Sequence, residues 1–314
     1  MKTARRPVHG VLLLDKPLGW TSQDALSKAK GLLRALKAGH TGTLDPLATG
    51  LLPLCFGAAT KFSQVSLDAD KRYTATLKLG ERSSTLDGEG EITAGTPPAI
   101  DRAALEAAVA ALTGPIDQLP PMHSALKKDG RALYHYARAG IEVERSVRRV
   151  TVHRLEILDW EHDRLVIDVA CSKGTYIRTL AADLGDLLGC GAWLQALRRT
   201  ATGGASVDDA ISIEALAALP QGERERRLLP PDVLLAHWPA LLLPDDEAGR
   251  FLSGLRRRVA QADQSHVRVY ASTPPPLAAT GGPNPRAFLG SARIQAGELI
   301  ADRLLSPQEV QALL

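Results

Sequence analysis

Arg164-Leu165-Val166-Ile167-Asp168-Val169-Ala170-Cys171-Ser172-Lys173-Gly174-Thr175-Tyr176-Ile177-Arg178-Thr179-Leu180 reads as a strand, a turn and the opening of a helix. Residues 164–171 are a short apolar run, broken by Ser172-Lys173-Gly174. Beyond the turn, Ile177, Leu180, Ala181, Leu184, Leu187 and Leu188 recur on one helical face, and Gly189 closes the helix. Arg178 falls in the first helical turn. A cation there meets the positive end of the helix dipole at a cost of ~0.3–1 kcal/mol, so a compensating carboxylate is expected. The plain alternative is an exposed arginine whose stem packs along the surface.

The candidate carboxylate is Asp45, in Gly39-His40-Thr41-Gly42-Thr43-Leu44-Asp45-Pro46-Leu47-Ala48-Thr49-Gly50. The glycines permit close approach of a ligand, and Pro46 fixes the chain just after the acid. Asp-Pro is also an ordinary helix start, the carboxylate capping free amides. The surrounding Leu44, Leu47, Leu51, Leu52 and Leu54 suit burial, however, and a buried carboxylate needs a cation or several donors.

Working outward, Gly10–Leu14 suits a buried strand and Asp15–Gly19 a turn. A helix begins at Thr21 or Ser22, with Ala25, Leu26, Ala29, Leu32, Leu33 and Leu36 on one face. Arg72–Leu79 alternates, putting Tyr73, Ala75, Leu77 and Leu79 on the core side. From periodicity alone Tyr73 reads better as a packing aromatic with its hydroxyl at the rim. Asp87-Gly88-Glu89-Gly90 marks a turn, and Asp101 caps a helix that Thr113-Gly114-Pro115 stops. Ala192–Thr200 is a further strand, with Leu197 flanked by cations. The polar, proline-rich stretch 219–231 marks a domain junction. After it, short apolar runs separated by turn residues predict a small β domain, and 273–285 predicts a mobile loop.

With 314 residues, 45% hydrophobic and 23% charged, the chain has the composition of a globular protein of two domains. It lacks the ~20-residue apolar run of a membrane span and the apolar stretch of a secretory signal, which predicts a cytoplasmic protein. Cys55, Cys171 and Cys190 are too scattered for a disulfide framework, and neither they nor the eight histidines have metal-ligand spacing. No metal site is expected. The net charge of +3 is unevenly spread. Residues 121–154 hold eight cations against three acids, a local excess of five that leaves the rest at −2. The cations, among them Lys127, Lys128 and Arg131, alternate with Tyr134, His135 and Tyr136. Lysine and arginine can track phosphates while aromatic faces stack on bases. A solvated charged face is the alternative.

These motifs, in this order, resemble the TruB branch of the bacterial tRNA pseudouridine-55 synthases. The resemblance rests on Gly10–Pro17, the 39–50 loop, Ala59–Gln64, Lys71-Arg72-Tyr73, Ser124–Lys127 and Cys171–Leu180, and covers Val8 to about Gly204. It implies an α+β catalytic domain over 1–232, built on a mainly antiparallel mixed sheet with flanking helices. An RNA-clasping insertion would lie at about 121–150, and a β-barrel-like PUA-type RNA-binding domain at 239–314. It also implies that Asp45 is the nucleophile, Arg178 its ion-pair partner and Tyr73 the aromatic on the target base. His40, Tyr176 and Leu197 would contact the flipped nucleotide. Lys16 and Lys61 would support the site scaffold, and Lys127, Lys128 and Arg131 would contact RNA. The implied partner is the T-arm of tRNA, with no cofactor, no protein partner and a monomeric enzyme. Whether Asp45 attacks uracil C6 or ribose C1′ stays open, as does the general base. Two other classes compete: a nucleoside hydrolase, which needs paired carboxylates where the loop offers one, and a non-catalytic RNA-binding protein.

Overall fold

The computed structural model describes residues 4–124, 126–272 and 287–314; the 273–285 loop expectation falls outside them. The strand–turn–helix of the opening stretch forms as read: strand Arg164–Cys171, then helix Ile177–Leu187. Arg164–Cys171 lies in a ten-stranded mixed sheet, hydrogen-bonded on one side to Arg148–Glu161 and on the other to Lys71–Leu79. The sheet continues through Ala192–Thr202, Ala48–Phe56 and Gly10–Lys16 to Ile211–Ser212. Pairing is antiparallel except at two joints, Ala192–Thr202 on Ala48–Phe56 and Gly10–Lys16 on Ile211–Ser212. Helix Ile177–Leu187 buries Ile177, Leu180, Ala181 and Leu184 against Ala75, Leu77, Ile167 and Val169. At about 25 cal/mol per Å² of apolar area, this packing fixes the helix on the sheet.

Ala48–Phe56 is a strand rather than the helix that Asp-Pro allows. It is buried along nearly its whole length, so its leucines face protein on both sides, as a central strand requires. Gly50 makes the parallel joint possible. Its φ is +99°, and a Cβ there would stand 2.3 Å from the Arg199 carbonyl oxygen, so only glycine lets the two backbones meet. Strand Gly10–Lys16 likewise runs through Lys16, where a turn was expected from Asp15 onward.

The basic excursion leaves and re-enters at one sheet edge, because Gly114–Gln118 pairs antiparallel with the start of Arg148–Glu161. Between them lie a two-strand hairpin of Lys127–Lys128 with Arg131–Ala132 and the short helix Leu133–Arg138. Residues 213–229 pack back on the main sheet: Ile213 and Leu216 join the core beside Leu12 and Leu14, and Val11 exchanges backbone bonds with Leu229 at 2.8 Å. The C-terminal part is a curled five-stranded sheet in the order Ala240–Leu243, Gln264–Ala271, Phe288–Gln295, Glu298–Leu304, Arg257–Arg258. It joins the part built on the ten-stranded sheet through Phe62, Tyr270 and Phe288, with the Phe62 and Phe288 rings 5.2 Å apart. Among the described residues no helix is long and apolar enough to cross a membrane.

Candidate active site

Asp45 opens a tight turn. Its carbonyl accepts the Ala48 N–H at 3.0 Å, with Pro46 at the second position, where its fixed φ is favoured. Ser22, at the start of helix Ser22–Leu32, pins the preceding residue: its hydroxyl donates to the Leu44 carbonyl at 3.0 Å and accepts the Leu44 N–H at 2.8 Å. The loop is thus fixed on both sides of the acid.

Arg178 arrives from the first turn of its helix. One terminal nitrogen lies 3.0 Å from an Asp45 carboxylate oxygen and donates to the His123 carbonyl at 2.6 Å. The other lies 3.2 Å from Asp87 and 3.5 Å from the Thr85 carbonyl. The carboxylate expected from the helix-dipole argument is therefore present twice. Asp87, read from sequence as part of a turn, is 2% exposed. It accepts from the Thr85 hydroxyl at 2.6 Å and from the Glu89 N–H at 3.1 Å, as an Asp at the head of a turn does.

Sharing one guanidinium between two acids changes the electrostatics. Burial pushes the Asp45 carboxyl up, Arg178 pulls it down, and Asp87 pushes it up again; the net displacement is upward from the ordinary 3.8. Asp87 thus adds to burial in opposing the pull of Arg178. Asp45 nevertheless keeps an opening, with 41% of its side chain exposed against 3% for Asp87.

A cavity of about 290 Å³ collects Asp45, Tyr73, Tyr176, Arg178, Leu197 and Arg199. Tyr73 and Leu197 come from adjacent strands, Leu197 pairing with Ala75 on one side and Ala48 on the other. The Tyr176 backbone is clamped by Gln118, whose side-chain oxygen accepts its N–H at 3.0 Å and whose amide donates to its carbonyl at 3.3 Å. His40 lines an adjoining cavity of about 490 Å³ with Asp45, Asp87 and Arg178. Burial, then Arg199, lowers its pKa below 6.5, and its Nδ1 has no partner among the described residues. Lys16 is fully buried and donates to the carbonyls of Pro17 at 3.0 Å and Trp20 at 2.6 Å. Burial brings its pKa down to about 8 against the pull of Asp45.

Lys61, expected to support the site scaffold, lies away from the cavity. Its amine pairs with Glu309 at 2.5 Å and donates to the Leu304 carbonyl at 2.9 Å, tying the five-stranded sheet to the ten-stranded one. Lys127, Lys128 and Arg131 lie on the exposed hairpin, outside the cavity. The guanidinium of Arg131 stands 5.1 Å over the Tyr136 ring and that of Arg138 5.6 Å over Tyr134. Three residues carried no functional reading in the sequence: Asp87, Gln118 and Arg199. Alternation gave a signal for Arg199, which stands two positions from Leu197 and so on its side of the strand. Among the described residues no group of three or more His, Cys, Asp or Glu could hold a metal ion.

The fold is similar to that of a chain in the crystal structure of a Cbf5-Nop10-Gar1 complex, with a TM-score of 0.73 at 22% identity over 96% of this chain and 87% of that one. Fold and matching sequence define an isomerase of the pseudouridine synthase class. The sequence is 54% identical over 320 residues to tRNA pseudouridine synthase B of Verminephrobacter eiseniae, covering 100% of this chain and 93% of that protein. It is 53% identical over 311 residues to the protein of the same name from Cupriavidus pinatubonensis, covering 96% and 95%. Residues 30–177 match the TruB family pseudouridylate synthase N-terminal domain, and 178–236 match the tRNA pseudouridylate synthase B C-terminal domain. The chain belongs to the TruB family.

Proposed function

We propose that the protein converts uridine 55 in the T-loop of tRNA to pseudouridine, acting in the cytoplasm as a monomer with Asp45 as nucleophile and without a cofactor. The observation that carries this reading is the convergence of an accessible Asp45, its Arg178 partner at 3.0 Å and Tyr73 in one cavity with room for a single nucleoside. The target base is shielded within folded RNA and must be flipped out, at a cost of a few kcal/mol recovered through stacking and phosphate contacts. Tyr73 and Leu197 hold the base, while His40 and Tyr176 meet the nucleotide and its neighbours. Lys127, Lys128 and Arg131 track the T-arm backbone, and the C-terminal domain at 239–314 extends the RNA surface. Lys16 supports the loop electrostatically.

The chemistry conserves every heavy atom. The C1′–N1 bond breaks, the base turns, and C5 bonds to C1′ as the C5 proton leaves and N1 gains one. An ionised Asp45 serves either as a nucleophile toward C1′ or C6 or as a counter-charge for C1′. The hydrolase reading needs a second working carboxylate. Asp87 is close by, but its oxygens are occupied by Arg178, Thr85 and Glu89, which suits it to positioning Arg178.

The test is an unmodified tRNA transcript labelled with tritium at uracil C5. The proposal predicts release of one tritium per tRNA and a carbodiimide stop at position 55. Tritium retained with free uracil released would instead identify a hydrolase; binding without either product would identify an RNA-binding protein.

A further inference from the structure

Arg199 is 1% exposed, yet no carboxylate pairs with it among the described residues. Its Nε donates to the Leu51 carbonyl at 2.7 Å and one terminal nitrogen to the Gly42 carbonyl at 3.1 Å. The guanidinium also engages the Tyr73 hydroxyl. Lys71 lines the same cavity and is 8% exposed; its amine is spent on the carbonyls of Ser66, Leu67 and Ala69 at 3.2, 2.7 and 2.6 Å. Arg199 depresses the Lys71 amine after burial does, so the two cations feel each other. An unpaired buried charge costs several kcal/mol. Carbonyl bonds occupy two of the donors of Arg199 but leave its charge unbalanced, and a neutral donor could have joined the same strands.

The cavity is therefore polarised. At one wall the Asp45 carboxylate, with Asp87 behind it, is matched by Arg178 and Lys16, while at another Arg199 and Lys71 carry positive charge that no carboxylate pairs with among the described residues, and Tyr73 is coupled to both Arg199 and Asp45. Breaking a nucleoside's glycosidic bond separates charge in the same sense. The electron pair stays on N1, making the base an anion delocalised over its carbonyls, and C1′ becomes electron-deficient.

Resting on the isomerase reading above, we propose that Arg199 is a positioning residue that holds Tyr73 on the base and supplies the positive potential stabilising the detached uracil anion. The step balances without a co-reactant. N1 takes the bonding pair, Asp45 meets the deficit at C1′, C5 of the turned base attacks C1′, and the C5 proton leaves to solvent as N1 is protonated. Preorganised charge aimed at a developing anion typically contributes ~10²–10³ in rate.

The experiment compares single-turnover loss of the N-linked nucleoside from T-arm stem-loops carrying uridine or 5-fluorouridine at the target, read by chromatography of nuclease digests. Fluorine stabilises the base anion, so a substrate that leaves more easily should need Arg199 less. Arg199→Met is expected to slow the uridine substrate ~100-fold or more, with RNA binding kept, and to slow 5-fluorouridine at least tenfold less. Arg199→Lys, which keeps the charge, should preserve the wild-type ratio of the two rates. If Arg199→Met does not fold, Arg199→Gln reads the same ratio with donors kept and charge removed. Equal slowing of both substrates by the uncharged variants would overturn the inference in favour of a purely structural arginine. A wild-type enzyme that makes no pseudouridine would instead sink the isomerase reading on which it rests.

Discussion

Two glycine-containing turns, 39–50 and 85–90, each bring an aspartate to the same guanidinium, and the contrast between them separates reacting from holding. Asp45 faces the cavity with nearly half its side chain accessible, and among the described residues its ion-pair partner is Arg178. Asp87 is sealed, with a hydroxyl, an amide and Arg178 on its oxygens. A carboxylate saturated with donors is a poor nucleophile and a good anchor. Burial together with the charge of Asp87 also lifts the Asp45 pKa, so the anchor influences the reactivity of its counterpart.

The comparison breaks hardest at the shared cation. Arg178→Met strands two acids, one of them buried, and is expected to cost about 3–5 kcal/mol in stability and to abolish turnover; denaturant unfolding and tritium release measure both. Arg178→Lys cannot span two carboxylates and two carbonyls with a fork, so it should fold but lose most of its activity.

Asp87→Asn sharpens the contrast. It should cost about 1–3 kcal/mol in stability, because a buried hydrogen-bonded ion pair is weakened. Removing its charge lowers the Asp45 pKa, so the acid limb of the single-turnover pH profile should move to lower pH while the maximal rate falls. A limb that stays in place would mean that Asp87 does not act on Asp45.

A smaller effect comes from the cation wall. Burial, then Arg199, brings the folded-state pKa of Lys71 from 10.5 to about 8. Between these values the unfolded chain holds more protons than the folded one, so this lysine's contribution to stability rises with pH through that window and is least favourable below it. Lys71→Met should flatten the slope of unfolding free energy between about pH 8 and 10.5. Smallest of all, Lys61→Ala should lower stability by no more than about 1 kcal/mol, since its pair with Glu309 is partly exposed. Its effect on turnover should be far below that of any cavity substitution.

The helix at 177–187 and the strands at 71–79 and 164–171 were legible because their periodicity is local and uninterrupted. The Asp45–Arg178 meeting was legible for an energetic reason: an arginine in a first helical turn and an acid among leucines each lack something the other supplies. Asp87 was not legible, because turn chemistry accounts for an Asp-Gly pair before any partner is sought. Its burial depends on Arg178, 91 positions on, and on a bridge to Leu194. The pairing of Lys61 was hidden for a similar reason, since Glu309 lies 248 residues away. The strand after Asp45 could not be chosen over a helix until the parallel joint at Gly50 was seen.

The most direct measurement is single-turnover tritium release by Asp45→Asn at saturating tRNA, with RNA affinity and thermal unfolding followed on the same preparation. Because the folded state raises the Asp45 pKa, its carboxylate opposes folding above the ordinary carboxylate range, and that penalty disappears as pH falls. The neutral amide should therefore melt higher at pH 7, bind tRNA like the wild type and release no tritium. Release at the wild-type rate by this variant would contradict the account at its centre.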